Sequence, residues 1–198
     1  MNWQDIVSVA TTLFLVMDPL GNVPIYNGVL SRFSARQRAV IAARELTFAL
    51  IILFGFLFLG NATLGFLGLS PSSLSIAGGV LLFIISLRMI FPRPSSADAG
   101  VVEDPFIVPL AIPAVAGPST IAILLLLSSR EPGRMGEWSL ALLIAWAAST
   151  LILVASPFVL RVLGSRGSRA LERLMGMILV ILATQMLLNG VRDFVASL

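Results

Sequence analysis

Asp18, Gly21 and Asn22, set around Pro19 and before Pro24 in the string DPLGNVP, are residue types that bind small charged groups. A carboxylate can hold an ammonium group or carry a proton, and an asparagine amide both donates and accepts. A proline removes a backbone N–H and clashes with the turn before it, so Pro19 and Pro24 should end one half-helix and start another. Gly21 would allow the sharp path between them. A half-helix beginning near Pro24 would then aim free N–H groups at a carboxylate. A second string, PAVAGPST, sets Gly117, Ser119 and Thr120 around Pro118, five residues after Pro113. It offers the same kind of helix start, with two hydroxyls.

Both strings interrupt lipid-grade apolar sequence. Irregular backbone at membrane depth survives only where it is buried in protein or lines a cavity. The alternative is an ordinary proline kink, and in the second string a re-entrant half-helix. Asp18 is the acid furthest inside a span, which makes it a functional candidate, either as counter-charge to an ammonium or as a proton carrier. Its structural alternative is to cap the broken helix or to sit near the interface.

Other polar residues have plainer uses. Asn27 lies near the break, and Asn61 is expected to cap or end the second span. Arg44, Glu45 and Arg88 fit snorkelling and ion pairing. Glu103 and Asp104 fit a solvated connection, since two carboxylates without a third ligand are a poor metal site. Thr184, Gln185 and Asn189 form a stripe that could face the interior, where helix–helix hydrogen bonding is the common use. Gly78, Gly79 and Gly176 allow close helix approach, while Trp3, Trp138 and Tyr26 suit interfacial anchors.

The 198-residue chain that positions these groups is 58% hydrophobic and 12% charged, with a net charge of +3 and a mean hydropathy of +1.00. It is therefore expected to be an all-α membrane protein. The apolar runs define six spans, at 4–31, 43–62, 71–91, 105–129, 138–160 and 172–192. Residues 92–104, rich in Pro, Ser, Ala and Asp, form a linker between halves 1–91 and 105–198. Ten of the thirteen arginines flank the odd-numbered connections, which puts those connections in the cytoplasm and both termini outside.

The halves resemble each other. Pro19 and Pro24 recur as Pro113 and Pro118 at an offset of 94, Phe66–Gly68 as Val162–Gly164 at 96, and Ala77 onward as Leu174 onward at 97. Chance similarity of apolar sequence is the alternative. With three spans per half, the second copy would be inverted, an arrangement that places a transport site at the midplane between broken helices.

Cysteine and histidine are absent, as are nucleotide-binding loops and hydrolase or zinc motifs, so no enzyme, cofactor, metal or nucleic-acid role is expected.

On FLVMDPLGNVPIY from Phe14, Arg44-Glu45, and EDPFIVPLAIPAVAGPSTIA from Glu103, the whole chain resembles the MarC family, which includes SnatA-type transporters. Glycine is common in that family where Ser119 stands here. The resemblance implies a multi-pass bacterial inner-membrane protein with the first and fourth spans discontinuous. It further implies a secondary transporter of small neutral amino acids of the glycine and alanine type, coupled to protons. The substrate-binding residues would be Asp18, Gly21, Asn22, Gly117, Ser119 and Thr120, with Pro19, Pro24, Pro113 and Pro118 at the breaks. Asp18 would be the coupling candidate. Export of another small solute and a non-transporting membrane scaffold remain alternatives, and the sequence leaves the oligomeric state open.

Overall fold

The computed structural model describes residues 2–30, 33–91 and 116–197, which contain helices and no strand. Trp3–Met17 (α1) and Pro19–Leu30 (α2) meet at Asp18. Ala35–Leu67 (α3) starts on a reciprocal cap between Ser34 and Gln37 and ends where Gly68 turns left-handed at φ 63°, a conformation that glycine adopts without penalty. Pro71–Ile90 (α4) starts with the Ser70 hydroxyl accepting the Ser73 N–H. Pro118–Arg130 (α5) leads through a 3-10 turn, Pro132–Arg134, into Met135–Val154 (α6). Ser156–Val195 (α7) is kinked at Gly164, where φ is 64° and ψ 177°.

Five helical stretches are long and apolar enough to cross a membrane: Trp3–Val23, Gln37–Gly60, Pro71–Ile90, Pro132–Val154 and Arg166–Val195. Pro118–Arg130 is apolar but shorter. The expected linker 92–104, Glu103, Asp104 and Pro113 lie outside the described residues.

Several boundaries differ from the sequence expectation. The apolar span Gln37–Gly60 stops at Asn61 as expected, but the helix itself continues to Leu67, because its terminator is the left-handed Gly68. At 33 residues and 1.5 Å per residue, α3 is about 50 Å long, so part of it stands outside a core of about 30 Å. The fifth span stops at Val154, and Ser156-Pro157 opens a new helix that includes most of the arginine-rich connection. Arginine, leucine and glutamate are good helix formers, and Pro157 sits in the first turn, where no N–H is missed.

Leucines at 13, 46, 53, 57, 82, 124, 142 and 153 fill the interior with Met17 and Tyr26. Phe66, Leu151 and Ile181 are exposed on the outside, as a helix bundle in lipid requires. Lipid gives apolar helices no hydrophobic reason to associate, so close backbone approach and hydrogen bonds must hold them. The most extensive pair is α4 with α7, running antiparallel. There the missing side chains of Gly79 and Gly190 let backbones touch: a Cβ on Gly79 would lie 3.1 Å from the Ala183 carbonyl, and one on Gly190 3.0 Å from the Ile76 nitrogen. The Ser75 hydroxyl donates to the Met186 carbonyl at 2.9 Å, and the Trp146 indole to the Leu46 carbonyl at 2.8 Å.

Two expected interfacial anchors are interior instead. Tyr26 is buried in the core, and Trp138 is buried with its indole N–H donating to the Glu131 carbonyl. Trp3 is exposed. The polar stripe on α7 bonds along its own helix: the Thr184 hydroxyl donates to the Val180 carbonyl and the Gln185 amide to Asn189. The buried face of α7 runs through Met175, Leu179, Ala183 and Gly190, which turns Thr184 and Gln185 outward.

Arg134 ties the start of α1 to the start of α6. Its guanidinium pairs with Asp5 at 2.7 Å, with Glu131 at 2.9 Å and with Glu137, and lies 4.5 Å from the centre of the Trp138 ring. Arg130 pairs with Asp193 at the far end of α7. Networks of this kind fix geometry better than isolated surface pairs. Arg134→Ala should therefore raise amide hydrogen exchange over residues 3–7 by about tenfold, the amount expected for one lost anchor, with no change in α4. Equal protection in both regions would show that the network does not hold α1 in place.

Candidate functional site

The junction between α1 and α2 is built by three side chains. Asp18 has φ 44° and ψ 58°, a left-handed conformation in which aspartate is among the few tolerated non-glycine residues. Its N–H donates to the carbonyls of Phe14 and Leu15, closing α1. Pro19 then opens α2 with a preset φ and no N–H to satisfy. The Asp18 carboxylate turns forward and accepts the Gly21 N–H at 3.1 Å, while the Asn22 amide turns back and donates to the carbonyls of Met17 at 3.1 Å and Asp18 at 3.0 Å. The groups orphaned at both helix ends are thus answered from within one short stretch.

This changes the roles expected for two residues. Helix α2 begins at Pro19, and Pro24 lies inside it, because Asp18 caps the chain six residues before the second proline can start anything. Gly21 is helical, and the left-handed residue is Asp18. Glycine is required at 21 because the Asp18 carboxylate lies across it, so a Cβ would collide with Oδ2 and sit 2.7 Å from Met89 Cε.

The start of α5 differs chemically. Gly117 is extended, with φ −71° and ψ 162°; Pro118 holds the first helical position, and no side chain caps the end. The first-turn N–H groups, that of Ser119 among them, lack acceptors within the helix and carry its positive dipole end. The Ser119 hydroxyl is 3% exposed and has no hydrogen-bond partner. A buried unpaired hydroxyl costs about 1–3 kcal/mol, which a bound acceptor or donor would remove.

One cavity of about 150 Å³ joins the two helix starts. Asp18, Gly21, Asn22, Gly117, Ser119 and Thr120 all line it, with Leu82 and Met89 from α4 and Glu172 and Leu179 from α7 closing it. A void of that size accommodates a benzene-sized molecule. Asn27 does not line it and bonds to the Val23 carbonyl on its own helix. Glu45, 0% exposed, is held by Arg44 at 2.9 Å, well described as an ion pair. Among the described residues no group of three potential metal ligands occurs.

Glu172 was missed by sequence reasoning. Between Arg169 and Arg173 it looks like one member of a solvated charge run, and only the packing of α7 turns it to the cavity.

Ser119→Ala should act in opposite directions on stability and binding. Removing an unpaired hydroxyl should leave the empty protein as stable or up to about 1 kcal/mol more so, while a ligand that uses it should bind about fivefold more weakly, the range of one neutral hydrogen bond. Melting temperature with and without ligand reads both. A fall in the empty protein's stability would mean that the hydroxyl has a structural partner.

Comparison with known proteins agrees over nearly the full length. Residues 3–195 match the model of the MarC family integral membrane proteins. The UPF0056 inner membrane protein YhgN of Escherichia coli (strain K12) is 50% identical over 191 residues, covering 96% of this chain and 97% of that one. A UPF0056 membrane protein of Buchnera aphidicola subsp. Baizongia pistaciae is 46% identical over 96% of this chain and 98% of its own. One from Methanocaldococcus jannaschii is 31% identical over 97% and 98%. No solved structure matches. With a match that spans residues 3–195, the chain belongs to the MarC family of integral membrane proteins.

Proposed function

We propose that this protein is a proton-coupled secondary transporter of small neutral amino acids, working between two inverted three-helix halves. The observation that carries the reading is the single cavity between two proline-started helices, one end capped by a carboxylate and the other uncapped beside a buried, unpartnered Ser119 hydroxyl. The substrate carboxylate binds at the start of α5, where N–H groups and dipole favour an anion, and its ammonium faces the acidic side. The volume suits glycine, alanine or serine, whereas an aromatic amino acid, a benzene-sized ring plus its charged backbone groups, exceeds it.

The inverted repeat draws support from the helix neighbours. Helix α3 packs on α5 as α6 packs on α2, and α4 packs on α5 as α7 packs on α2. Gly68 and Gly164, corresponding positions in the two halves, both have positive φ, 63° and 64°, with different ψ of 28° and 177°. The break in the first span is the Asp18 junction, while the first part of the fourth span lies outside the described residues. An Escherichia coli relative carries "inner membrane" in its name, and the arginine asymmetry favours termini outside the cytoplasm.

Coupling follows from the junction. A proton taken up by Asp18 weakens its hold on the Gly21 N–H and so loosens α1 from α2, changing the wall of the cavity.

Reconstituted into liposomes, the protein should accumulate labelled glycine or alanine when an inward proton gradient is imposed, and should stop when the gradient is collapsed. No movement of either under any gradient removes this substrate class. Stabilisation by amines or other solutes but not by amino acids would favour export of another small molecule.

A further inference from the structure

We propose that Glu172 binds the ammonium group of the transported amino acid, an assignment that rests on the transport reading above. Among the described residues the cavity is lined by two carboxylates, Asp18 and Glu172, and by no arginine. Its acidic side therefore attracts a cation, and a free anion entering alone meets repulsion. The two acids are not equivalent. Asp18 is committed to the junction, where it accepts the Gly21 N–H and lies across that glycine. Glu172 is half-buried and makes no hydrogen bond or ion pair with a described residue; its chain neighbours Arg169 and Arg173 are exposed.

The same cavity is lined by Ser119, a residue 3% exposed whose hydroxyl is unpartnered, at the uncapped start of α5. The cavity thus has one anion-seeking side and one cation-seeking side, each with unmet hydrogen-bonding capacity. An α-amino acid carries both charges on adjacent groups and satisfies both sides at once. A divalent metal fits less well, because calcium and magnesium want about six oxygens and no group of three potential ligands is found among the described residues.

The test compares alanine with propionate, which lacks the ammonium, on the purified full chain by calorimetric titration and thermal shift. The wild type should bind alanine and discriminate strongly against propionate. Glu172→Gln should weaken alanine by about ten- to a hundredfold, the range for a hydrogen bond to a charged group, and should shrink the preference over propionate by the same factor. The ligand-free melting temperature should not change. Glu172→Asp keeps the charge and should recover alanine affinity to within about fivefold, the cost of a shifted but retained pair. Wild-type affinity and preference in Glu172→Gln overturn the assignment while leaving the transport reading standing. Loss of affinity in both variants with a lowered ligand-free melting temperature assigns Glu172 to packing and also overturns it. A wild type that binds neither alanine nor glycine overturns both readings together.

Discussion

Gly21→Ala is expected to abolish transport and to destabilise the protein by about 2 kcal/mol. The added methyl collides with the Asp18 carboxylate and meets Met89 Cε at 2.7 Å. Forced overpacking costs about 1–3 kcal/mol and a lost cap about 0.5–2, against a gain of nearly 1 from replacing glycine in a helix. The carboxylate cannot give way cheaply, since its displacement uncaps α2 and leaves the Gly21 N–H unanswered at the cavity wall. Gly55→Ala is the matched control: it lies in α3 with nothing within 4 Å of an added Cβ, and should be neutral or slightly stabilising. Thermal unfolding in detergent and flux in liposomes decide the matter. Wild-type behaviour of Gly21→Ala would mean that the Asp18 carboxylate does not lie across residue 21.

A still larger loss of stability is expected at the seam of α4 and α7. In Gly190→Val the Cβ would stand 2.7 Å from Ile76 Cγ1 and 3.0 Å from the Ile76 nitrogen, and in Gly79→Val 2.9 Å from Leu187 Cγ and 3.1 Å from the Ala183 carbonyl. Most of these neighbours are backbone or the inner part of a side chain, so the helices themselves must separate. Each change should cost about 3 kcal/mol, the upper range of overpacking, and the pair together should prevent recovery of monodisperse protein. Size-exclusion profiles and melting temperatures report it. A double variant that purifies and melts like wild type would exclude tight backbone packing at this seam.

The fold class was legible because lipid demands long apolar runs, and the arginines mark where those runs end. The candidate cavity was legible because proline, glycine and asparagine have few uses inside such runs; all six proposed contact residues line one void. What could not be read was direction. The sequence shows two prolines at 19 and 24, and nothing local says which starts the helix; the Asp18 carboxylate and the Asn22 amide decide it by capping the earlier one. Burial was equally hidden for Tyr26 and Trp138, whose amphipathic rings suit an interface or a hydrogen-bonded interior alike. Glu172 escaped because its companions on the chain are exposed arginines, and only the angular position of α7 against α4 gives it an inward face. A helix end failed where a glycine conformation, at Gly68, set the stop instead of composition.

The glycine seam also bears on how such a molecule could move. Helices that meet through long side chains can slip by exchanging rotamers, one ridge yielding to the next. Where the backbones of α4 and α7 lie against each other at Ser72, Ile76, Ala183 and Ser86, there is no layer of side chains to shear, and sliding would drive carbonyls into methylenes. The two helices behave as a single rod that carries Leu82, Met89, Glu172 and Leu179 as a fixed wall of the cavity. Any opening or closing must then come from the opposite wall, with α2 and α5 swinging past a spine that stays still.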